Sequence, residues 1–184
     1  MAEEQRKNTL TKLVVETFHI NDECYTPGYA VRPLLKYLDR FNGKTIWCPF
    51  DTKESEYVKI FKQAGFNVIY SHKDDGQNFY DFGEGLFAKD IPDFDILISN
   101  PPFHKKAALV EKVISLNKPF ALLLPMTWLN DSAPYYLFSK GGIELMLFDK
   151  RIRFKNCGNQ PSFGCGYYCR GLLPEKIIFE QLEI

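Results

Sequence analysis

The sequence has no excess of charge of either sign. Its 184 residues include 23 Lys and Arg and 23 Asp and Glu, which gives a formal net charge of zero. Proteins that coat nucleic acid are usually strongly basic, so nucleic-acid binding by this chain would depend on a local patch. The segment DKRIRFK at 149–155 is one candidate, with Lys150, Arg151 and Arg153. Charge runs also commonly face water, and the pattern favours neither interpretation.

Long apolar runs are absent too. The segment FALLLP at 120–125 is far shorter than the roughly 20 residues of a membrane-spanning helix. The opening stretch MAEEQRKNTL is polar and does not resemble a secretion signal. With 45% hydrophobic and 25% charged residues, the composition is that of a globular domain. We expect a single domain over residues 1–184, located in the cytoplasm and without membrane contact.

Metal-binding patterns are also missing. The five cysteines, at 24, 48, 157, 165 and 169, include no CxxC pair, and no histidine lies near the last three in sequence. A chain of this size, well supplied with apolar residues, does not need disulfides for stability. We therefore expect reduced thiols and no metal.

What the sequence does contain is an alternation of strand and helix patterns. Helices are predicted at 26–41, 51–65, 105–117 and 133–142. The first has Thr26 as N-cap and Pro27 at the first helical position, and the second begins at Asp51 or Thr52 and ends at Gly65. Strands are predicted at 44–50, 67–71, 94–99, 120–125, 143–149, 166–173 and 176–182.

This order predicts an α/β fold with a doubly wound, mostly parallel sheet and an antiparallel C-terminal hairpin at its edge. Ligands of such sheets bind beyond the carboxyl ends of the strands, where the strand order reverses. Three segments follow predicted strands in this way: CPFD at 48–51, YSH at 70–72 and SNPPF at 99–103.

The segment SNPPF carries groups suited to holding a planar amine. The Asn100 side-chain oxygen and the Pro101 carbonyl are two neighbouring acceptors, and together they match the two hydrogens of one NH2 group. Pro101 and Pro102 stiffen the backbone, and Phe103 offers a ring for stacking. Two such hydrogen bonds would localise the nitrogen lone pair and make the amine a better nucleophile.

SNPPF after a buried strand resembles the (D/N/S)PP(Y/F) motif of class I S-adenosylmethionine-dependent amino-methyltransferases. CYTPGYAVRPLLKYL upstream resembles the element that precedes the cofactor strand in N6-adenine methyltransferases, and the likeness spans roughly residues 20–175. More narrowly, the chain is similar to small phage- and prophage-borne enzymes of that group, which implies a bacterial host. The resemblance implies an enzyme that methylates adenine N6, with DNA a likelier substrate than RNA.

The resemblance also implies roles for particular residues. The catalytic set is Asn100, Pro101, Pro102 and Phe103. The cofactor set is Tyr25, Thr26, Pro27, Cys48, Pro49, Phe50, Asp51, Ser71, His72, Asn78 and Phe79. The substrate set is Phe154, Lys150, Arg151 and Arg153. No separate target-recognition domain is expected, and the stretches Phe82–Pro92 and Arg153–Gly164 are the candidates for that task, unless a partner chain supplies specificity.

Departures from the motifs keep other hypotheses open. The loop CPFDTKES has no glycine, and Cys48 and Ser71 stand where the family usually has acids. An RNA adenine or protein glutamine methyltransferase would share the SNPPF motif. A degenerate, non-catalytic module that binds nucleic acid or a partner subunit would explain the altered cofactor loop.

Overall fold

The computed structural model describes residues 24–83 and 89–183. The opening stretch MAEEQRKNTL and part of the candidate recognition stretch at 82–92 lie outside the described residues. The described helices are α1 (Gly28–Val31), α2 (Glu56–Gln63), α3 (Lys106–Ser115) and α4 (Ser132–Phe138). The strands are β1 (Thr45–Cys48), β2 (Asn67–Tyr70), β3 (Ile96–Ser99), β4 (Phe120–Pro125), β5 (Glu144–Phe148), β6 (Cys165–Arg170) and β7 (Ile177–Glu180).

The seven strands form one sheet in the order β2-β1-β3-β4-β6-β5-β7. Pairings among β1, β2, β3 and β4 are all parallel, with Ile46 opposite both Val68 and Ile96. The chain adds β2 on one side of β1 and then returns to add β3 on the other. This reversal between β1 and β3 is the switch point at which such sheets bind ligands.

In the inner parallel strands β1, β3 and β4, side chains alternate between two cores because these strands are buried on both faces. Ile46, Ile98 and Leu123 join one core, which α1 and α2 cover. Trp47 and Leu97 join the other core, which α3 and α4 cover. A parallel sheet covered by helices on both sides is the predicted doubly wound fold, and that prediction is confirmed.

The C-terminal strands differ in detail from the predicted edge hairpin. β6 is antiparallel to both β4 and β5 and lies between them, where its first five residues are buried. β7 does not pair with β6; it pairs in parallel with β5 and occupies the edge. The antiparallel element is present, but burial of the apolar residues in CGYYCR favours an interior position over the edge.

Two helix starts also differ from prediction. The residue before α1 is Pro27, and Thr26 makes no capping hydrogen bond. α2 begins at Glu56 rather than near residue 51, because the Ser55 hydroxyl accepts a hydrogen bond from the Val58 N–H at 3.3 Å. The loop after β1 is therefore longer than predicted, and Asp51 is left for another role.

The prediction that all thiols are reduced is wrong for two cysteines. Cys24 and Cys157 form a disulfide across 133 residues, with Cα atoms 4.6 Å apart. Tyr25 and Lys155, beside them, pair through two backbone hydrogen bonds of 2.8 and 2.9 Å. Sequence spacing could not show a contact that this long-range pairing creates. Cys48, Cys165 and Cys169 are free and buried.

Within residues 24–83 and 89–183, no three His, Cys, Asp or Glu side chains are grouped so that they could hold a metal ion. None of the described helices is long and apolar enough to cross a membrane. The cytoplasmic location stays a prediction.

Candidate active site

A cavity of about 980 Å³ opens at the carboxyl edge of the sheet, beside the switch point between β1 and β3. This volume is at the upper end of the range for small-molecule sites. The predicted site residues that line it are Tyr25, Thr26, Pro49, Phe50, Asp51, His72, Asn78, Phe79, Asn100, Pro101, Pro102 and Phe103. The cavity is also lined by part of a loop over residues 153–163, called here the late loop.

The Asn100 amide is held on one side and unpaired on the other. Its Nδ2 donates a hydrogen bond of 3.2 Å to the Cys24 carbonyl, and its Oδ1 is buried without a hydrogen-bond partner. A buried acceptor without a donor costs about 1–3 kcal/mol. An orphaned acceptor in a residue that lines a cavity is the arrangement expected of a group whose partner is a ligand.

The backbone after Asn100 is held firmly. Pro101 and Pro102 restrict two consecutive residues, and the Lys106 ammonium donates a 2.9 Å hydrogen bond to the Phe103 carbonyl. Lys105, just before α3, has a φ of 55°, so the chain turns sharply into the helix. These restraints fix the Asn100–Phe103 segment relative to the sheet.

Phe103 forms an aromatic wall with Phe163 of the late loop. Their ring centroids are 6.0 Å apart, both side chains are partly exposed, and both line the cavity. The geometry suits a surface on which a planar group packs. Phe163 is a site residue that the sequence analysis missed, because nothing in a loop without periodicity indicates which aromatic faces inward.

Asp51 is a buried carboxyl bound from within the protein. The Ser99 hydroxyl donates to its Oδ2 at 2.5 Å, and only 7% of Asp51 is exposed. Burial raises the pKa of Asp51 to about 6, although hydrogen bonds from Ser99 and Ser55 partly oppose this increase. The interaction joins the loop after β1 to the last residue of β3, directly before Asn100.

Thr26 is a second orphaned polar group on the cavity wall. It is 6% exposed, and its Oγ1 is buried without a hydrogen bond of normal geometry. It lies close enough to the Tyr57 hydroxyl to lower the pKa of that group slightly, against the larger opposing effect of burial. Tyr57, which the sequence analysis also missed, lines the cavity and shares a 2.8 Å hydrogen bond with Tyr167.

The wall after β2 is shaped by Phe79 and a lysine beneath it. Phe79 is 1% exposed and packs against Trp47 and Phe50, so its ring is mainly structural. The Lys112 ammonium donates to the carbonyls of Phe79 and Phe82 at 2.9 and 2.6 Å, which fixes this turn. Exposed Asn78 uses its Oδ1 to accept from the Tyr80 N–H, and the His72 ring accepts from the Asp74 N–H.

Several predicted cofactor residues do not line the cavity. Cys48 is fully buried in the core beneath α1 and α2. Ser71 is 3% exposed, and its hydroxyl accepts from the Trp47 indole at 3.3 Å, so neither side chain reaches a ligand. Pro27 is buried and does not line the cavity. Strand alternation explains the result for Cys48, because it points to the same face as Ile46.

The predicted substrate residues lie elsewhere as well. Phe154 is 5% exposed and belongs to the first core, which leaves no room for a base to stack on it. Lys150, Arg151 and Arg153 are exposed but do not line the cavity. Lys155, also exposed, does line it, and its ammonium forms a 3.0 Å ion pair with Glu56.

Comparison with known proteins adds little to this geometry. No family model matches the sequence, and a search of curated proteins finds no significant relative. Among solved structures, one similar chain is a Listeria monocytogenes protein whose assignment as a class I S-adenosylmethionine-dependent methyltransferase is itself provisional. It is 14% identical, with a TM-score of 0.46, and the match covers 98% of this chain and 73% of that one. A match of this size carries no functional conclusion.

Proposed function

We propose that this protein is a methyltransferase that moves a methyl group from S-adenosylmethionine to the exocyclic N6 of adenine in nucleic acid. The observation that carries the proposal is the buried, orphaned Oδ1 of Asn100, a residue that lines the cavity at the switch point of the sheet. Its fixed orientation makes it an acceptor for an incoming N–H group. The motif resemblance of SNPPF supplies the reaction class.

The chain's own residues would orient and polarise the amine. Asn100 Oδ1 and the Pro101 carbonyl accept the two amine hydrogens, while Phe103 and Phe163 support the planar ring. S-adenosylmethionine, when bound, supplies a methyl group on a positively charged sulfur. Catalysis then depends on positioning and on fixed dipoles, so no side chain has to remove a proton before attack.

The residues present fit this cofactor, although not through a glycine-rich loop. The Asp51 N–H donates to the Ser71 carbonyl, so this backbone group of the loop after β1 is already occupied. Side chains remain: the orphaned Thr26 hydroxyl, partly exposed Phe50 and the carboxylates Asp51, Glu54 and Glu56 all line the cavity. These three carboxyl groups, which also contact Ser99, Lys59 and Lys155, suit a ligand that carries a sulfonium and an ammonium.

DNA is the substrate we propose, and its adenine must be flipped out or unpaired to reach the cavity. Exposed Arg151, which precedes the late loop, and Arg153, its first residue, are suited to phosphate contacts. The aromatic wall of Phe103 and Phe163 favours a flat base over a glutamine side chain. Specificity would come from the late loop or from a partner chain.

The test combines binding with transfer. Calorimetry with S-adenosylmethionine should detect binding, and labelled cofactor should transfer its methyl group to DNA, with N6-methyladenine as the product after nucleoside analysis. RNA and a glutamine-containing peptide serve as competing acceptors. No cofactor binding would support the non-catalytic module, for which the glycine-free loop is the best argument, and methylation of RNA or peptide alone would reject DNA.

A further inference from the structure

We propose that the Cys24–Cys157 disulfide is a positioning device for Asn100. By fixing the Cys24 carbonyl, it sets the orientation of the Asn100 amide, so oxidation of this cysteine pair strengthens binding of the amine-bearing substrate. The inference rests on the proposed function of Asn100 and extends it to two residues outside the SNPPF motif. It makes the site sensitive to thiol redox conditions.

The first step is the hydrogen bond from Asn100 Nδ2 to the Cys24 carbonyl, at 3.2 Å. An asparagine side chain can exchange its oxygen and nitrogen by a half turn of the terminal amide. A carbonyl accepts hydrogen bonds but cannot donate them, so Cys24 admits only the orientation in which Nδ2 faces it. Asn100 Oδ1 then remains as the acceptor for the substrate amine.

The second step is how Cys24 is held in place. Residue 24 precedes α1, and its neighbour Tyr25 forms an isolated bridge with Lys155 of the late loop. The disulfide to Cys157 adds a covalent connection between these segments. Breaking that bond leaves the Cys24 carbonyl positioned by hydrogen bonds alone, and local opening then becomes easier.

The third step is that the disulfide also holds the loop that forms part of the aromatic wall. Cys157 and Phe163 both belong to the late loop, and Phe163 packs on Phe103. The disulfide therefore connects the residue that orients the hydrogen-bond acceptor with the loop that supplies half of the stacking surface. One covalent bond influences both contacts proposed for the base.

Cys24 and Cys157 differ from the other three cysteines in solvent exposure. Cys24 and Cys157 are partly exposed, and Cys24 lines the cavity, so this pair is more accessible to small thiols than the buried cysteines. Cys48, Cys165 and Cys169 are buried. Burial also raises the pKa of each of their thiols, to about 12 for Cys165, which suppresses the reactive thiolate. Among the described residues, thiol–disulfide exchange is therefore directed to one pair.

The redox step is an exchange with a small-molecule disulfide of the glutathione class. The two protein thiols lose two protons and two electrons, and the Cys24–Cys157 bond forms. The small disulfide takes up these two protons and two electrons and is cleaved to two thiols. A dithiol reductant reverses the reaction.

A spectroscopic test reads the Asn100 amide directly, without any assumption about substrate. In 15N-labelled protein, the Asn100 side-chain NH2 resonances are assigned by their loss in Asn100→Ala. They should shift when a dithiol reduces the wild type, and Cys157→Ser should show the reduced positions under both conditions. Unchanged resonances would overturn the inference, and so would two free thiols after oxidation, detected by mass spectrometry.

A binding test connects orientation with recognition. Adenosine should bind reduced wild type and Cys157→Ser about tenfold more weakly than oxidised wild type, with Asn100→Ala insensitive to reduction. A redox effect that persists in Asn100→Ala would mean that the disulfide acts through another group, which overturns the inference.

A matched control addresses general loosening of the late loop. The Tyr29 hydroxyl accepts from the Arg153 N–H at 2.8 Å, so Tyr29→Phe weakens the attachment of that loop but keeps the disulfide. It should change adenosine affinity by less than about twofold; a loss as large as that on reduction would contradict the special role of the disulfide. If oxidised protein binds no adenosine while the Asn100 resonances still respond to reduction, the proposed function fails and the positioning role stands.

Discussion

The ends of β1 and β3 lie side by side at the switch point, yet the polar groups at the two ends differ in whether they have hydrogen-bond partners within the protein. After β1, Asp51 is bonded to Ser99, and Ser71 of the neighbouring strand end is bonded to Trp47. After β3, Asn100 keeps a buried oxygen with no partner. The first set of groups is satisfied within the protein, and the second set includes an acceptor that no described protein group satisfies.

Satisfied and orphaned polar groups have different meanings in the same cavity. A satisfied group has already exchanged water for a protein partner, so it costs less than an unpaired group, although ionisation of a buried carboxyl such as Asp51 still lowers stability. An orphaned group lowers stability, and in a cavity wall it can be satisfied by a ligand. Thr26, whose hydroxyl lies near Tyr57 but makes no hydrogen bond of normal geometry, falls into the same class as Asn100.

The largest effect should come from removing the orphaned acceptor. Asn100→Ala should lower the rate of methyl transfer about a thousandfold, because a hydrogen bond aimed at the reacting group is lost. Cofactor affinity should change by less than about twofold. Asn100→Asp keeps an oxygen at this position and should recover part of the activity, while exposed Asn130→Ala, outside the cavity, serves as a control. Equal losses in all three variants would remove Asn100 from the mechanism.

The second prediction compares the effects of substituting two phenylalanines of the late loop. Phe154→Ala should lower the free energy of unfolding by about 3 kcal/mol, because Phe154 is in the core. Phe163→Ala should cost less stability and should weaken adenosine binding about tenfold. Urea denaturation and calorimetry measure the two quantities. If Phe154→Ala instead weakened adenosine binding and Phe163→Ala mainly lowered stability, Phe154 would be the stacking residue.

The third prediction concerns the satisfied side of the comparison. The pKa of Asp51 in the folded protein, about 6, lies above its ordinary value, so the folded state binds a proton more tightly than the unfolded state. Stability contributed by this group is therefore lost as the pH rises from about 4 to about 6. Relative to wild type, Asp51→Asn should gain up to about 2–3 kcal/mol over that interval in urea denaturation. A difference that does not vary with pH would contradict the assignment.

The smallest effect should come from Thr26→Val, which replaces the orphaned hydroxyl by a methyl group of similar size. Binding of S-adenosylhomocysteine should weaken about tenfold, with unfolding free energy unchanged or slightly higher, because an unpaired polar group is removed from the interior. Exposed Thr127→Val is the control. A large loss of stability with unchanged binding would make Thr26 a structural residue.

The sequence was sufficient for the seven strands and for the place of the cavity, but not for the interior position of β6 or the parallel pairing of β7. β4 was predicted to the residue, and the segments after β1, β2 and β3 do meet at one cavity. The helix predicted at 26–41 is instead a short α-helix followed by 3₁₀ turns at Arg32–Tyr37 and Asp39–Phe41. Pro33 lacks an N–H and interrupts the α-helical hydrogen bonds, which the apolar spacing alone did not reveal.

Side-chain partners in loops could not be predicted in the same way. The sequence gives no register for the late loop, so the inward position of Phe163 and the core position of Phe154 depend on long-range pairing. The same holds for the disulfide and for the Ser99–Asp51 contact, which join segments that are distant in sequence. Periodicity indicates which face of an element is buried, but it does not indicate which loop lies opposite.

The interior position of β6 has a consequence for how the chain acquires its structure. β5 and β7 contact the rest of the sheet through β6. During synthesis, the sheet that β1 to β4 begin therefore remains incomplete until residues 165–170 have left the ribosome. Long-range pairing of this kind slows folding and exposes apolar surface meanwhile. Nascent chains stalled before Cys165 should be protease-sensitive and those stalled well beyond the sheet resistant, whereas early resistance would show that the first four strands fold as an independent unit.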